Sequence, residues 1–142
     1  MERLNDTFFY NLEKSIRTYR HYFSNRLRQN GFEITLDQWI TLNMIIDYPD
    51  ASQIEIAERV FKDKASITRI IDLLMRDGYL MRQKNEQDAR KSRLQLTKKG
   101  KITMQRLNKL VPSFRKDALK GIGPNEIRVA LQLIRKLGYN CS

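Results

Sequence analysis

The chain has 142 residues and carries 27 lysines and arginines against 16 acids, a net charge of +11, with one cysteine and one histidine. Its 41% apolar and 30% charged content fits one folded domain and excludes a disordered chain, and no apolar run exceeds three residues, which excludes a membrane span. The lone cysteine and histidine exclude a disulfide framework and a Cys/His zinc site, while the basic excess makes an anionic partner the first expectation.

Residues 4 to 29 carry Phe8, Leu12, Ile16, Tyr19, Phe23 and Leu27 at spacings of three or four, the stripe of a long amphipathic helix stopped by Asn30-Gly31. Phe9 and Tyr22 lie off that stripe and predict a second buried face, against another chain. Thr35-Leu36-Asp37-Gln38 has the form of a capping box, and Leu36, Trp39, Ile40, Met44 and Ile45 follow at helical spacing until Pro49. Ser52-Gln53-Ile54-Glu55 is a second box and opens a short helix through Val60. Asp63 caps a third, with Ile67, Ile70, Ile71 and Leu74 inward and Asp77-Gly78 as its end.

Periodicity changes at Tyr79. Residues 79–84 and 92–97 read as two short strands around a polar loop. Thr97 caps a helix with Met104, Leu107, Val111, Phe114 and Ala118 in its seam, where Pro112 predicts a kink or a lost hydrogen bond. Pro124 starts a last helix with Ile127, Ala130, Leu131, Ile134 and Leu137, expected to close at Gly138. The fold class is therefore mainly α with a small β-hairpin wing: a winged helix-turn-helix lobe over 35–100, and a helical dimerisation region over 1–34 and 101–142.

Two short helices followed by a hairpin place the second helix, 63–76, as a reading head for the major groove of DNA. Opposite its apolar face lie Ala65, Thr68, Arg69, Asp72 and Arg76, and its first turn presents Lys64, Ala65, Ser66, Thr68 and Arg69. Small residues admit the backbone, hydroxyls bond phosphates or base edges, and arginine grips guanine. The same face also fits a solvated surface with nothing bound. Asp72 and Arg76, four apart, are expected to pair with each other. Between Met81 and Lys101 stand Arg82, Lys84, Arg90, Lys91, Arg93, Lys98, Lys99 and Lys101, opposed by only Glu86 and Asp88. Arg90 is assigned to the minor groove with Asp88 positioning it, and Lys91, Arg93 and Lys98 to phosphates. With Ser52 and Arg82 these complete the DNA-binding set over a wing at 82–93.

The stretches Ser52–Val60 and Asp63–Leu74, the lead Arg76-Asp77-Gly78-Tyr79-Leu80, Asp88-Ala89-Arg90 and Leu96-Thr97-Lys98-Lys99-Gly100 together resemble the MarR family of transcription regulators. The resemblance covers about 50 residues. It implies a homodimer built from the first and last two helices, a palindromic double-stranded operator, repression or activation of nearby genes with repression favoured, and small phenolic or lipophilic aromatic effectors bound between the dimer region and the DNA lobe. Phe61-Lys62 departs from the glycine frequent in the family's turn, and Ala89 from a common wing arginine.

No glycine-rich phosphate loop or metal-spaced carboxylate set occurs in the sequence, and His21 lacks a nucleophile at a recognisable spacing, so neither catalysis, a metal nor a cofactor is expected. Cys141, next to last, reads as incidental rather than redox-active. Tyr19, Phe23, Trp39 and Met44 fit a core more readily than an effector pocket, and effector residues stay unassigned. The opening Met1-Glu2-Arg3-Leu4-Asn5-Asp6 lacks a secretory stretch, giving a cytoplasmic expectation without membrane contact. The alternative is a winged-helix module that binds protein or RNA.

Overall fold

A computed structural model describes residues 1–84, 86–88 and 92–142. Packing divides the chain into two compact units, 1–110 and 111–142, with the boundary inside a helix.

In the first unit a 3₁₀ turn at Leu4–Asp6 precedes α1 (Phe8–Gln29). Gly31, at φ 78°, adopts the left-handed conformation that lets the chain leave α1 at little steric cost. Then come α2 (Leu36–Asp47), α3 (Gln53–Arg59) and α4 (Lys64–Arg76). Both expected capping boxes form. Thr35 accepts from the Gln38 amide at 3.1 Å and Gln38 accepts from the Thr35 amide at 3.0 Å; Ser52 and Glu55 do the same at 3.2 and 3.1 Å. Each box satisfies two amides that a helix start leaves without partners. Strands β1 (Leu80–Lys84) and β2 (Ser92–Leu96) pair antiparallel from Leu80 opposite Leu96 to Lys84 opposite Ser92.

Tyr79 and Thr97 were expected in the strands but lie at the foot of the hairpin, where they join it to α5 (Lys98–Ala118). The Thr97 hydroxyl donates to the Gly78 carbonyl at 2.5 Å and accepts from the Gly100 amide at 3.0 Å. A Cβ on Gly100 would stand 2.2 Å from the Tyr79 carbonyl oxygen, so only glycine lets the two backbones approach this closely.

The core of this unit draws on every helix in it: Phe23 and Leu27 of α1, Leu42 and Ile45 of α2, Ile56 of α3, Ile67, Ile71 and Leu74 of α4, and Met104 and Leu107 of α5. Trp39 lies against Phe23 with ring centroids 5.2 Å apart. Thr41 is fully buried, and its hydroxyl donates to the Asp37 carbonyl at 2.7 Å, so its polar atom is satisfied. Only the C-terminal half of the α1 stripe is used: Phe8 and Ile16 are exposed, as is the off-stripe Phe9.

The second unit holds the end of α5 and α6 (Pro124–Cys141). Val111 and Phe114 are buried, Ala118 is exposed, and α6 buries no residue. Pro112 stays inside α5, which runs unbroken to Ala118, so its cost is a local hydrogen bond rather than the helix. Gly138 does not end α6 either. The helix continues to Cys141, because an interior glycine costs about 1 kcal/mol against alanine, too little to stop it by itself.

Candidate nucleic-acid interface

The buried face of α4 orients the expected reading head. Ile67, Ile71 and Leu74 are fully buried, and this fixes the rotation of α4 so that Lys64, Ala65, Arg69 and Asp72 are exposed and Ser66 and Thr68 half-buried. Asp63 caps the helix by accepting from the Ser66 amide at 2.7 Å, and that backbone bond holds its carboxyl below the ordinary range. Lys64 and Arg69 make no ion pair among the described residues, so both cations remain available to an anion. Arg76 does not pair with Asp72. It reaches its neighbour Asp77 at 3.0 Å, which lies closer than a partner one turn back.

Thr68 is less free than its outward position implied. Its hydroxyl donates to the Lys64 carbonyl at 2.8 Å and accepts from Gln53 Nε2 at 2.7 Å, while Gln53 Oε1 accepts from Arg82 at 3.3 Å. With its single proton committed, Thr68 serves as the middle of a chain running from the wing through the start of α3 to the first turn of α4. Gln53 is the residue at this candidate site that sequence reasoning missed. It stands 15 positions from Thr68 and 29 from Arg82, and no local spacing signals such a contact.

On the wing, Arg82, Lys84 and Arg93 are exposed, as are Lys98, Lys99 and Lys101 beyond it. Besides Arg82, bonded to Gln53, two of these cations are held by the protein itself. Arg93 Nε donates to the Pro49 carbonyl at 3.1 Å, and its terminal nitrogen lies 3.6 Å from the Asp50 carboxylate. Lys99 donates to the Asp77 carbonyl at 2.7 Å and sits 4.5 Å from the centre of the Tyr79 ring. Asp88 is half-buried; Arg90, which it was expected to position, and Lys91 lie outside the described residues. Ser52 is exposed and occupied as a cap acceptor, which leaves its hydroxyl proton to donate.

The turn between α3 and α4 carries Phe61 where a glycine is frequent in the family it resembles. Phe61 takes φ 61°, the left-handed conformation glycine would favour, with its ring 93% exposed. The next residue, Lys62, lies 3.2 Å from Asp37, which also pairs with Arg20 of α1. Burial pushes the Asp37 carboxyl up, but the two cations more than offset this and hold it below the ordinary range. One carboxylate thus fastens the turn to α1 and α2.

Phe23 is buried in the core and meets two half-buried rings, Tyr19 edge-on with centroids 6.0 Å apart and Trp39 at a tilt with centroids 5.2 Å apart. His21 and Cys141 are exposed. Among the described residues no cluster of His, Cys, Asp or Glu is able to hold a metal ion, and no helix is long and apolar enough to cross a membrane.

Residues 34–92 match the model of the MarR family. The fold is that of MarR-type regulators over nearly the whole chain. Bordetella bronchiseptica BpsR, described in the regulation of its DNA binding by 6-hydroxynicotinic acid, superimposes with a TM-score of 0.84 at 17% identity, covering 97% of each chain. A mutant of E. coli MarR complexed with operator DNA gives 0.82 at 19% identity, covering 96% of this chain and 99% of that one. The Streptomyces coelicolor PcaV regulator with its natural ligand gives 0.80 at 23% identity, covering 100% and 99%. Members of this family are DNA-binding regulators rather than enzymes. Residues 34–92, which span the helix-turn-helix and most of the wing, thus match the model of the MarR family of transcription regulators, and the fold around them is the one these regulators share.

Proposed function

We propose that the chain binds a palindromic operator as a homodimer and represses by occupying it, with α4 in the major groove and the wing, 82–93, in the minor groove. The observation that carries this reading is the first turn of α4: exposed Lys64, Ala65 and Arg69 on a helix whose opposite face is fully buried. Residues 35–100 then form the DNA lobe, and 1–34 with 101–142 the dimerisation region.

Dimerisation is supported by apolar surface. In the first unit Leu4, Phe8, Phe9 and Ile16 are exposed, and in the second Val129, Leu131, Leu133 and Ile134. Monomeric proteins seldom leave such patches open. A twofold axis would set two α4 helices about 34 Å apart, one turn of duplex, so that the operator mirrors the protein. Operator DNA in the MarR complex and the two ligand-associated relatives support extending both operator binding and release by a small aromatic effector to this chain.

The test is fluorescence anisotropy on a duplex selected from random DNA. Arg69→Ala is expected to cost about 1–3 kcal/mol and to relax base preference, whereas Lys98→Ala weakens all sequences alike and lowers the salt slope by about one. Equal affinity for single-stranded RNA, or unchanged binding by both variants, would overturn the reading.

A further inference from the structure

Gln53, the first residue of α3, holds its side-chain amide in one orientation. Arg82 carries donors only, so the amide atom facing it at 3.3 Å is the oxygen, and the nitrogen is left to donate to the Thr68 hydroxyl at 2.7 Å. The Thr68 proton goes on to the Lys64 carbonyl at 2.8 Å. All three bonds therefore run in one direction, from a guanidinium on β1 to the first turn of α4, and each polarises the next. The capping box of Ser52 and Glu55 fixes the backbone from which Gln53 starts.

Two ties hold the wing to the helices. Arg93 of β2 ends on Pro49 and Asp50, in the loop before α3. Among the described residues Arg82 of β1 makes no ion pair, and of the two ties only its own continues into a side chain of α4. A helical threonine divides between two χ1 rotamers, according to whether its hydroxyl reaches back to the carbonyl one turn earlier. Gln53 selects between them, because its donor meets the hydroxyl oxygen where the Lys64 bond has put it. With its proton spent, Thr68 offers a base a lone pair and a methyl group. These suit the amino group of adenine or the methyl of thymine, and not the oxygen of guanine.

We propose that Gln53 is a positioning residue through which the wing sets the base preference of α4: Arg82 acts on the recognition helix by way of Gln53 and Thr68, without touching the base that Thr68 meets. This deepens the DNA reading above and rests on it. Gln53 and Thr68 are half-buried and Arg82 is exposed, so water replaces a partner that is removed, and the chain of bonds contributes orientation more than stability.

The first measurement needs no DNA. In methyl NMR of the full chain, Thr68 should hold a single rotamer, and Gln53→Met, which keeps the length but not the hydrogen bonds, should average it. Arg82→Met should shift the Thr68 methyl signal in the wild-type background and leave it unmoved when combined with Gln53→Met, a cycle that isolates action through Gln53. The second measurement is anisotropy on the selected duplex and its single-base-pair variants. At the base pair where Thr68→Val alters preference, Gln53→Met should lower discrimination about tenfold, and the two changes together no more than either alone. Gln53→Glu, which at neutral pH still accepts from Arg82 but cannot donate to Thr68, should lose as much. Urea midpoints of all these variants should stay at the wild-type value.

Unchanged discrimination in Gln53→Met or Gln53→Glu, an Arg82→Met shift of equal size in both backgrounds, or a loss of discrimination that follows a lowered urea midpoint would each overturn the proposal. A wild-type chain that selects no duplex removes the operator reading and this inference with it. Preserved discrimination in Gln53→Met, with the wild-type chain bound to its duplex, removes this inference alone.

Discussion

In α4 the apolar positions Ile67, Ile71 and Leu74 are all fully buried, whereas in α6 the similarly spaced Ile127, Leu131 and Ile134 leave none buried, and Leu131 and Ile134 are exposed. Both helices show the periodicity that marks an apolar stripe. Periodicity states that a face will be covered; it does not state by which chain. The core of the first unit covers α4, and its opposite face is thereby fixed toward solvent. On α6 the stripe remains open, and in the proposed homodimer a second copy would cover it.

The sharpest way to break this contrast is to delete a methyl-rich side chain from each stripe. Ile71→Ala should cost about 4 kcal/mol in urea unfolding, because a fully buried side chain leaves a cavity in a core drawn from five helices. A cost below about 1 kcal/mol would mean that α4 is not anchored as described. On α6, Leu131→Asp with Ile134→Asp should leave the secondary structure intact but raise the dimer dissociation constant about a hundredfold, close to 2.7 kcal/mol, in sedimentation experiments. Unchanged self-association would place the dimer interface elsewhere.

What could be read from residue order follows from how local each signal is. The capping boxes at Thr35 and Ser52, the Asp63 cap and the hairpin all involve residues a few positions apart or a change of period, and each appears where spacing put it. The exposure of Lys64, Ala65 and Arg69 was legible for the same reason, since burying Ile67 and Ile71 fixes the opposite face. Contacts between distant segments were not. Gln53 with Thr68 and Arg82, Asp37 with Arg20 and Lys62, Gly100 against Tyr79, and Arg93 on Pro49 all depend on tertiary approach. The pairing expected of Asp72 and Arg76 failed because a rule for isolated helices ignores the residue just past the end, here Asp77.

The Asp37 cluster offers a pH test of how the turn is fastened. Its carboxyl titrates below the ordinary range when folded, so the unfolded chain takes up the proton first as pH falls. The stabilisation is therefore full above the unfolded pKa and is lost as pH drops through the folded value. Asp37→Asn should cost about 1 kcal/mol at neutral pH, a modest figure because the group is partly open to solvent, and the difference from wild type should shrink in acid. A difference that stays constant down to strongly acidic pH would show that the carboxylate charge is not what holds Arg20 and Lys62.

The smallest effect expected is at Phe61, and it has the opposite sign. The backbone there holds φ 61° although the residue is not glycine, and the ring, 93% exposed, gains little from burial in return. A β-carbon in that conformation crowds the following carbonyl, whereas glycine adopts it freely. Phe61→Gly should therefore stabilise the chain by about 0.5–1 kcal/mol, the strain relieved being partly offset by the greater freedom of glycine when unfolded. Phe61→Ala, which keeps the β-carbon, should leave stability nearly unchanged. If alanine stabilises as much as glycine in thermal unfolding, the cost lies in exposing the ring and not in the backbone.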